Sequence, residues 1–208
     1  MSETQPSIVL LGAGGHCQSC IDVIEREGRF TIAGIIDRDT SLRGKAILGY
    51  SVIGTDADLP DVRRTHAHAL ITVGQIRSTA ARVALYDRLK GLGFTLPCIV
   101  APTACVSRHA QLGEDTIVMH HVAVNAGAHV GVNCILNTKA LIEHNACVGD
   151  HSHVSTAAVV NGSARIGRRT FIGSNATVVH GVDLPDDLFV RAGLLVRSGE
   201  DGQRTQDA

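Results

Sequence analysis

Residues 130–155 read VGVNCILNTKALIEHNACVGDHSHVS, and in them the aliphatic residues Val130, Leu136, Ile142, Val148 and Val154 fall six positions apart. Neither the 3.6-residue period of a helix nor the two-residue alternation of a hairpin strand produces that spacing, whereas a hexapeptide coil points one residue in six toward its axis. Followed outward, the beat holds from Val106 through Leu112, Val118 and Val124 on one side, and through Val160, Ile166, Ile172, Val178 and Leu184 to Val190 on the other. Four positions after each aliphatic the residue is usually small, as at Thr116, Ala128, Cys134, Ala146, Ser152 and Ala164; one position after, Gly or Asn recurs, as at Gly113, Asn125, Gly149 and Asn161. The pattern predicts stacked coils with an aliphatic interior, the small residues permitting sharp corners. An aromatic content of 3% with no Trp agrees with so narrow an interior.

Up to about residue 98 the rhythm is different. Short apolar runs (SIVLLG, TIAGIID, HALITVG, TLPCIV) alternate with helical patterns (CQSCIDVIEREG, IRSTAARVALYDRLKGLG), which predicts a parallel sheet of the α/β kind. We therefore expect a Rossmann-like domain over residues 1–98, a parallel β-helix over 99–197 and a polar tail over 198–208.

A formal net charge of -1, with 19% charged and 44% hydrophobic residues, describes a globular chain with no electrostatic footprint for nucleic acid or an anionic membrane. No apolar run approaches the roughly 18 residues of a membrane helix, and MSETQPS lacks the features of a signal peptide, so the expected compartment is the cytoplasm. The six cysteines are expected to be reduced thiols. Cys17 and Cys20 form the one CxxC, which reads as two small residues at a helix start in preference to a redox pair or half a zinc site.

The repeats fit [LIV]-[GAED]-x-x-[STAV]-x and resemble those of the left-handed β-helix acyltransferases. Together with GAGGH (residues 12–16), VGQIR (73–77) and NTKALIEHNACVGDHSHVS (137–155), they make the chain similar to the bacterial nucleotide-sugar N-acetyltransferases of the bacillosamine and perosamine type, close kin of the sialic acid O-acetyltransferases. The resemblance implies the left hand of the coil, three hexapeptides per turn, a homotrimer, and acetyl-CoA as co-substrate with a nucleotide-linked amino sugar as acceptor. It implies further that His144, in the IEH motif, is the general base, that Asn137 and His153 belong to the same centre, and that Gly162, Ser174 and Ala192 line the coenzyme A channel. Two departures stand out: the acidic residue that usually follows the base is Asn145, and a GxPAK-like ending is replaced by SGEDGQRTQDA.

The chemistry suits these residues. Acetyl transfer from a thioester to an amine needs a base of near-neutral pKa, which His offers without large perturbation. It also needs a donor for the developing oxyanion, for which His153, Asn137 and a backbone N–H at a coil corner are all candidates. His144 and His153 are half a coil apart, so at about 3.3 Å of rise per residue they should lie on different sides of one prism. If both serve one site, neighbouring subunits share it. His120, His121, His129, His151 and His180 are expected to face outward, solvated or at subunit contacts.

In the first half, GAGGH follows a strand and opens a helix, so the N–H groups around Gly12, Gly14, Gly15 and His16 can cradle a phosphate. Cys17 stands where a full dinucleotide fingerprint has its third Gly, which weakens an NAD reading. Asp37, at the end of the second strand, meets a ribose or caps a turn; the resemblance assigns Asp37, its neighbour Arg38, and Gly74, Gln75 and Arg77 to the nucleotide sugar. Three other readings remain open at this level: a sugar O-acetyltransferase, a zinc enzyme like the γ-carbonic anhydrases on the same coil, and a non-catalytic nucleotide-binding scaffold.

Overall fold

The computed structural model describes residues 5–204. Its N-terminal domain is a five-stranded sheet of β1 (Ser7–Leu11), β2 (Thr31–Ile36), β3 (Ala46–Ile47), β4 (Tyr50–Gly54) and β5 (His68–Ile71), ordered β3-β4-β2-β1-β5. All pairings are parallel except the β3–β4 hairpin, which turns through Leu48 and Gly49, both at positive φ. Helix α1 (Gly15–Glu27) buries Cys17, Cys20, Ile21, Val23 and Ile24, one apolar stripe of its i, i+3, i+4 pattern. The CxxC thus faces the core, and burial lifts both thiols, Cys17 to about 11, which leaves them inert. Helices α2 (Leu59–Thr65) and α3 (Ala80–Gly91) complete the domain.

The run TLPCIV is divided between the two domains. Thr95 bridges to His68 at the end of the α/β sheet, while Ile99–Val100 pairs with Ile117–Val118 and starts the coil. From there the chain winds as a left-handed β-helix in which each two-residue strand pairs in parallel with the strand one coil later, as His153 does with Phe171. The predicted inward aliphatics are buried from Val118 to Val190, and at the open first coil Val106 and Leu112 are only partly covered.

The corners differ from expectation in one respect. From Leu112 onward each sharp turn is made three positions after the aliphatic, by a residue in the left-handed region: Asp115, His121, Asn133, Lys139, Asn145, His151, Ala157, Ser163, Arg169, Asn175 and Asp187, with Gly127, Gly181 and Gly193 in the same series. Lys139, Ala157 and Arg169 occupy this region against the local preference for Gly, Asn or Asp, because the coil geometry over-determines it. The small residues one position later are packed inside the corner, where Ala128, Cys134, Ala140, Ala146, Ala158, Ala164 and Ala176 are buried and a longer side chain has no room.

The prism has three faces, distinguished by the residues that point outward. One face carries Cys105, Ala123, Leu141, Val159, Thr177 and Leu195, a largely apolar column of partly or fully exposed residues on which no other element of the described residues packs. A second carries Gln111, His129, Cys147, Arg165 and Asp183 and is polar. The third carries Ile117, Ile135, His153, Phe171 and Phe189; the α/β domain docks here, burying Ile117 and Ile135. His153, Phe171 and Phe189 form an aromatic ladder on this face, with neighbouring centroids 5.1 Å apart.

Arg82 of α3 fastens the two domains. Fully buried, it donates to the carbonyls of Ile71 and Val73 on its own side and to those of Asn133 and Asp115 on the coil, and it faces the Asp115 carboxylate at 3.5 Å. Burial raises the Asp115 carboxyl, against the pull of Arg82 and the Ile71 N–H. Tyr86 and Lys90 add bonds to Glu114. Residues 198–204 are more ordered than a tail: Ser198 and Asp201 form a capping box, and Gln203–Arg204 pairs antiparallel with Leu188–Phe189. Residues 205–208 lie outside the described residues.

Candidate active site

At the junction of the two domains lies a cavity of about 930 Å³. Its N-terminal wall is the loop between β1 and α1 together with the ends of β2 and β5, and Asn137 and His153 of the coil close its inner end. Of the candidate nucleotide residues, Gly12, Gly14, Gly15, His16, Asp37, Arg38, Gly74 and Gln75 all line it, whereas Arg77 is exposed outside the lining.

Local geometry explains the loop. Gly12 has φ +108, and a Cβ there would stand 2.6 Å from the Val73 side chain, so only glycine fits. Gly14 and Gly15 have nothing within 4 Å of where a side chain would go, which leaves the α1 N-terminus open to a ligand. Asp37 accepts from the backbone N–H of Ala13 at 2.7 Å and of Asp39 at 2.9 Å, so its carboxylate first of all holds the loop in place. Deeper in, His16 Nε2 and Gln75 Oε1 are buried without a hydrogen-bond partner. Such atoms are rare in folded chains, and in a cavity they mark where a ligand's polar groups can bond.

His153 is held in one tautomer. Its Nδ1 lies 2.7 Å from the Gln75 carbonyl, which only accepts, so Nδ1 bears the proton and Nε2 presents a lone pair toward Asn137 Nδ2 at 3.3 Å. Burial, then the Arg82 charge, pulls its pKa to about 4 against the Gln75 bond, keeping it neutral. In this form His153 accepts, so of the three oxyanion candidates the Asn137 amide and a corner N–H remain as donors. The Asn137 amide is fixed by its Oδ1, which accepts from the Thr138 N–H at 2.8 Å.

His144 stands elsewhere on the same coil, at the corner between the apolar and polar faces, and is exposed. Its N–H donates to Glu143, its Nδ1 lies 3.2 Å from the Asn145 amide, and its Nε2 points over Gly162 on the next coil. Because a carboxamide offers a donor or an acceptor by a half-turn, Asn145 holds Nδ1–H when Oδ1 faces it, and Nε2 is then the free base. Ser174 and Ala192 lie at the opposite edge of the apolar face, the edge of Asn137; Ser174 bonds Ser155 at 3.1 Å. The candidate residues therefore form two groups in one chain: His144, Asn145 and Gly162 at one edge of the apolar face, and Asn137, Ser174, Ala192 and the cavity at the other.

Of the outward histidines, His129 and His180 are exposed as expected, but His151 is buried at 6% exposure. The α/β domain covers it: its carbonyl accepts from Gln75 Nε2, its ring bonds the Asn133 amide and it packs edge-on against Tyr86. His120 is likewise engaged, bridging Thr103 and Asp22 of α1. Gln75 and Arg82 are thus more central than their sequence context revealed. Among the described residues no group of three or more His, Cys, Asp or Glu is arranged to hold a metal ion.

The fold and this division are those of a hexapeptide acyltransferase preceded by a small α/β domain. Residues 7–89 match the family model described as the PglD N-terminal domain. PerB from Caulobacter crescentus, solved with CoA and GDP-perosamine, is 30% identical with a TM-score of 0.86, covering 99% of this chain and 100% of that one. Perosamine N-acetyltransferase from the same organism, with a His replaced by Asn, gives 29% and 0.87 over the whole of both chains. The acetyltransferase domain of PglB from Neisseria gonorrhoeae, bound to acetyl coenzyme A, gives 25% and 0.85 over 97% of this chain and 100% of that one. No curated protein matches the chain in sequence. The chain belongs to the bacterial nucleotide-sugar N-acetyltransferases of the hexapeptide-repeat family, and it is an acetyltransferase.

Proposed function

We propose that this protein transfers the acetyl group of acetyl-CoA to the amine of a nucleotide-linked amino sugar, at C4, as a homotrimer in the cytoplasm. The observation that carries the reading is the pairing of an uncovered apolar face with half a site at each of its edges. Packing that face about a threefold axis buries Leu141, Val159 and Leu195 and brings the His144 edge of one subunit to the Asn137 edge of the next. The glycine loop and α1 N-terminus take the diphosphate, and the sugar runs inward toward His16, Gln75 and His153. Coenzyme A lies along the seam past Gly162 of one subunit and Ser174 and Ala192 of the other. His144 Nε2 takes the amine proton as the nitrogen attacks the thioester carbonyl, and the Asn137 amide or a corner N–H receives the oxyanion.

No helix of the described residues is long and apolar enough to cross a membrane. The cytoplasmic assignment is supported by six free cysteines, the state expected in a reducing compartment.

The experiment is turnover with acetyl-CoA and GDP-, UDP- or dTDP-linked 4-amino sugars, GDP-perosamine first, following release of free thiol. His144→Ala is expected to lower kcat by about 10²–10⁴-fold with an unchanged melting temperature. Parental kcat in the variant removes His144 from the mechanism, and acetylation of hydroxy sugars in preference to amino sugars makes the enzyme an O-acetyltransferase using the same base.

A further inference from the structure

We propose that His180 is a proton acceptor for His144, draining the first of the two protons that an ammonium substrate must lose. This rests on the reading of His144 as the base and extends it. His144, Gly162 and His180 occupy the same corner on three successive coils. The two rings are 6.2 Å apart between centroids and inclined at 48°. The glycine between them leaves the gap open: a Cβ on Gly162 would stand 2.7 Å from His144 Nε2 and 3.1 Å from His180 Nδ1. The two nitrogens therefore lie within about 6 Å of each other, a span that one water bridges with two ordinary hydrogen bonds. His144 Nδ1 is engaged by Asn145, so the nitrogen facing the gap is the reactive one. His180 is exposed in the single chain and followed by Gly181, around whose missing side chain nothing lies within 4 Å; there the chain turns onto the polar face of Asp183, which the seam leaves uncovered, so a proton arriving there has a path to solvent. Glu143 is the charged group facing His144 from its own strand; its carboxylate is held below the usual range by Asn125 and by the His144 N–H, and so stays ionised.

The proton count makes a second station useful. An aliphatic amine is largely protonated at neutral pH and cannot attack until it has lost one proton. When it attacks, the C–N bond forms, the C–S bond breaks, and the nitrogen sheds a second proton that must reach the thiolate sulfur to give the free thiol. A single imidazole holds one proton at a time. Handing the first through a water to His180, and from there to solvent, returns His144 to the neutral form that takes the second from nitrogen and delivers it to sulfur.

The test compares His180→Gln and His180→Ala with the parent over pH 6.5 to 9.5, with and without imidazole in the buffer, and with melting temperatures as a check of folding. Expected are a kcat about tenfold lower near pH 7, convergence with the parent at alkaline pH where the amine arrives neutral, recovery by added imidazole, and a KM for acetyl-CoA within about twofold of the parent. A loss equal at every pH and not rescued, a rise in KM alone, or parental kcat throughout each overturns the relay. Failure of the underlying base reading shows separately, as activity retained by His144→Ala.

Discussion

His16 and His153 share the inner end of the cavity, and burial acts on both in one direction. Desolvation first, then the buried Arg82 charge, takes His16 to about 3; desolvation likewise takes His153 to about 4. In the unfolded chain each titrates near 6.5, so between those values the unfolded state binds more protons and stability rises with pH. The contribution is complete above about pH 6.5 and is lost on acidification toward the folded values. Asp115, raised by burial, has the opposite sign, so the comparison with a variant isolates the histidines. His16→Gln removes one such group: the fall in unfolding free energy from pH 7 to pH 5, read from urea titrations, should shrink by about 2 kcal/mol. An unchanged fall would mean that His16 is hydrated in solution and not desolvated as its burial indicates.

At the scale of elements, the start of α1 and the strand ends around it form the proposed nucleotide cradle, and its openness depends on missing side chains. Gly15→Val adds a β-branched side chain where nothing lies within 4 Å, at a residue that is not at positive φ, so the fold should tolerate it. The expected result is a KM for the nucleotide sugar about tenfold higher, with kcat and melting temperature little changed; an unchanged KM would place the diphosphate elsewhere. The elements also explain what could be read in advance. Inward positions were legible from Val106 to Val190, because a residue packed against its equivalents above and below must be aliphatic in every coil. The turn position was not, because a left-handed backbone imposed by the coil accepts Lys139, Ala157 or Arg169 as well as Asn, and so leaves no composition to find. The β3–β4 hairpin was missed because its strands are short and partly exposed. His151 was misjudged because the hexapeptide period says which residues point out, but only the docking of α3 decides which of those are covered.

At the scale of the whole molecule, the proposed site is divided: one chain carries both of its halves and cannot bring them together. His144 leaves the strand Leu141–Ile142 on the apolar face, whereas Asn137 and His153 belong to the docked face with the cavity, and the two edges of a rigid prism do not approach each other. A closed ring of identical subunits resolves this, since a head-to-tail interface presents the leading edge of each copy to the trailing edge of the next. The consequence is complementation between two inactive proteins. His144→Ala destroys one edge and Asn137→Ala the other, so each homotrimer should be nearly inactive. When the two are co-expressed, each mixed trimer has one seam where an intact His144 edge meets an intact Asn137 edge, and random assembly from equal amounts restores about a quarter of the parental sites. Thiol release from the tagged, purified mixture measures the fraction. Activity no higher than that of the two variants alone would mean that both residues act within a single chain, and the apolar column of Leu141, Val159 and Leu195 would then need another explanation. Leu141→Glu on that column separates the cases independently: sedimentation should show monomers, and those monomers should lack turnover while keeping a cooperative melt, because every inward contact of the coil is intact in them.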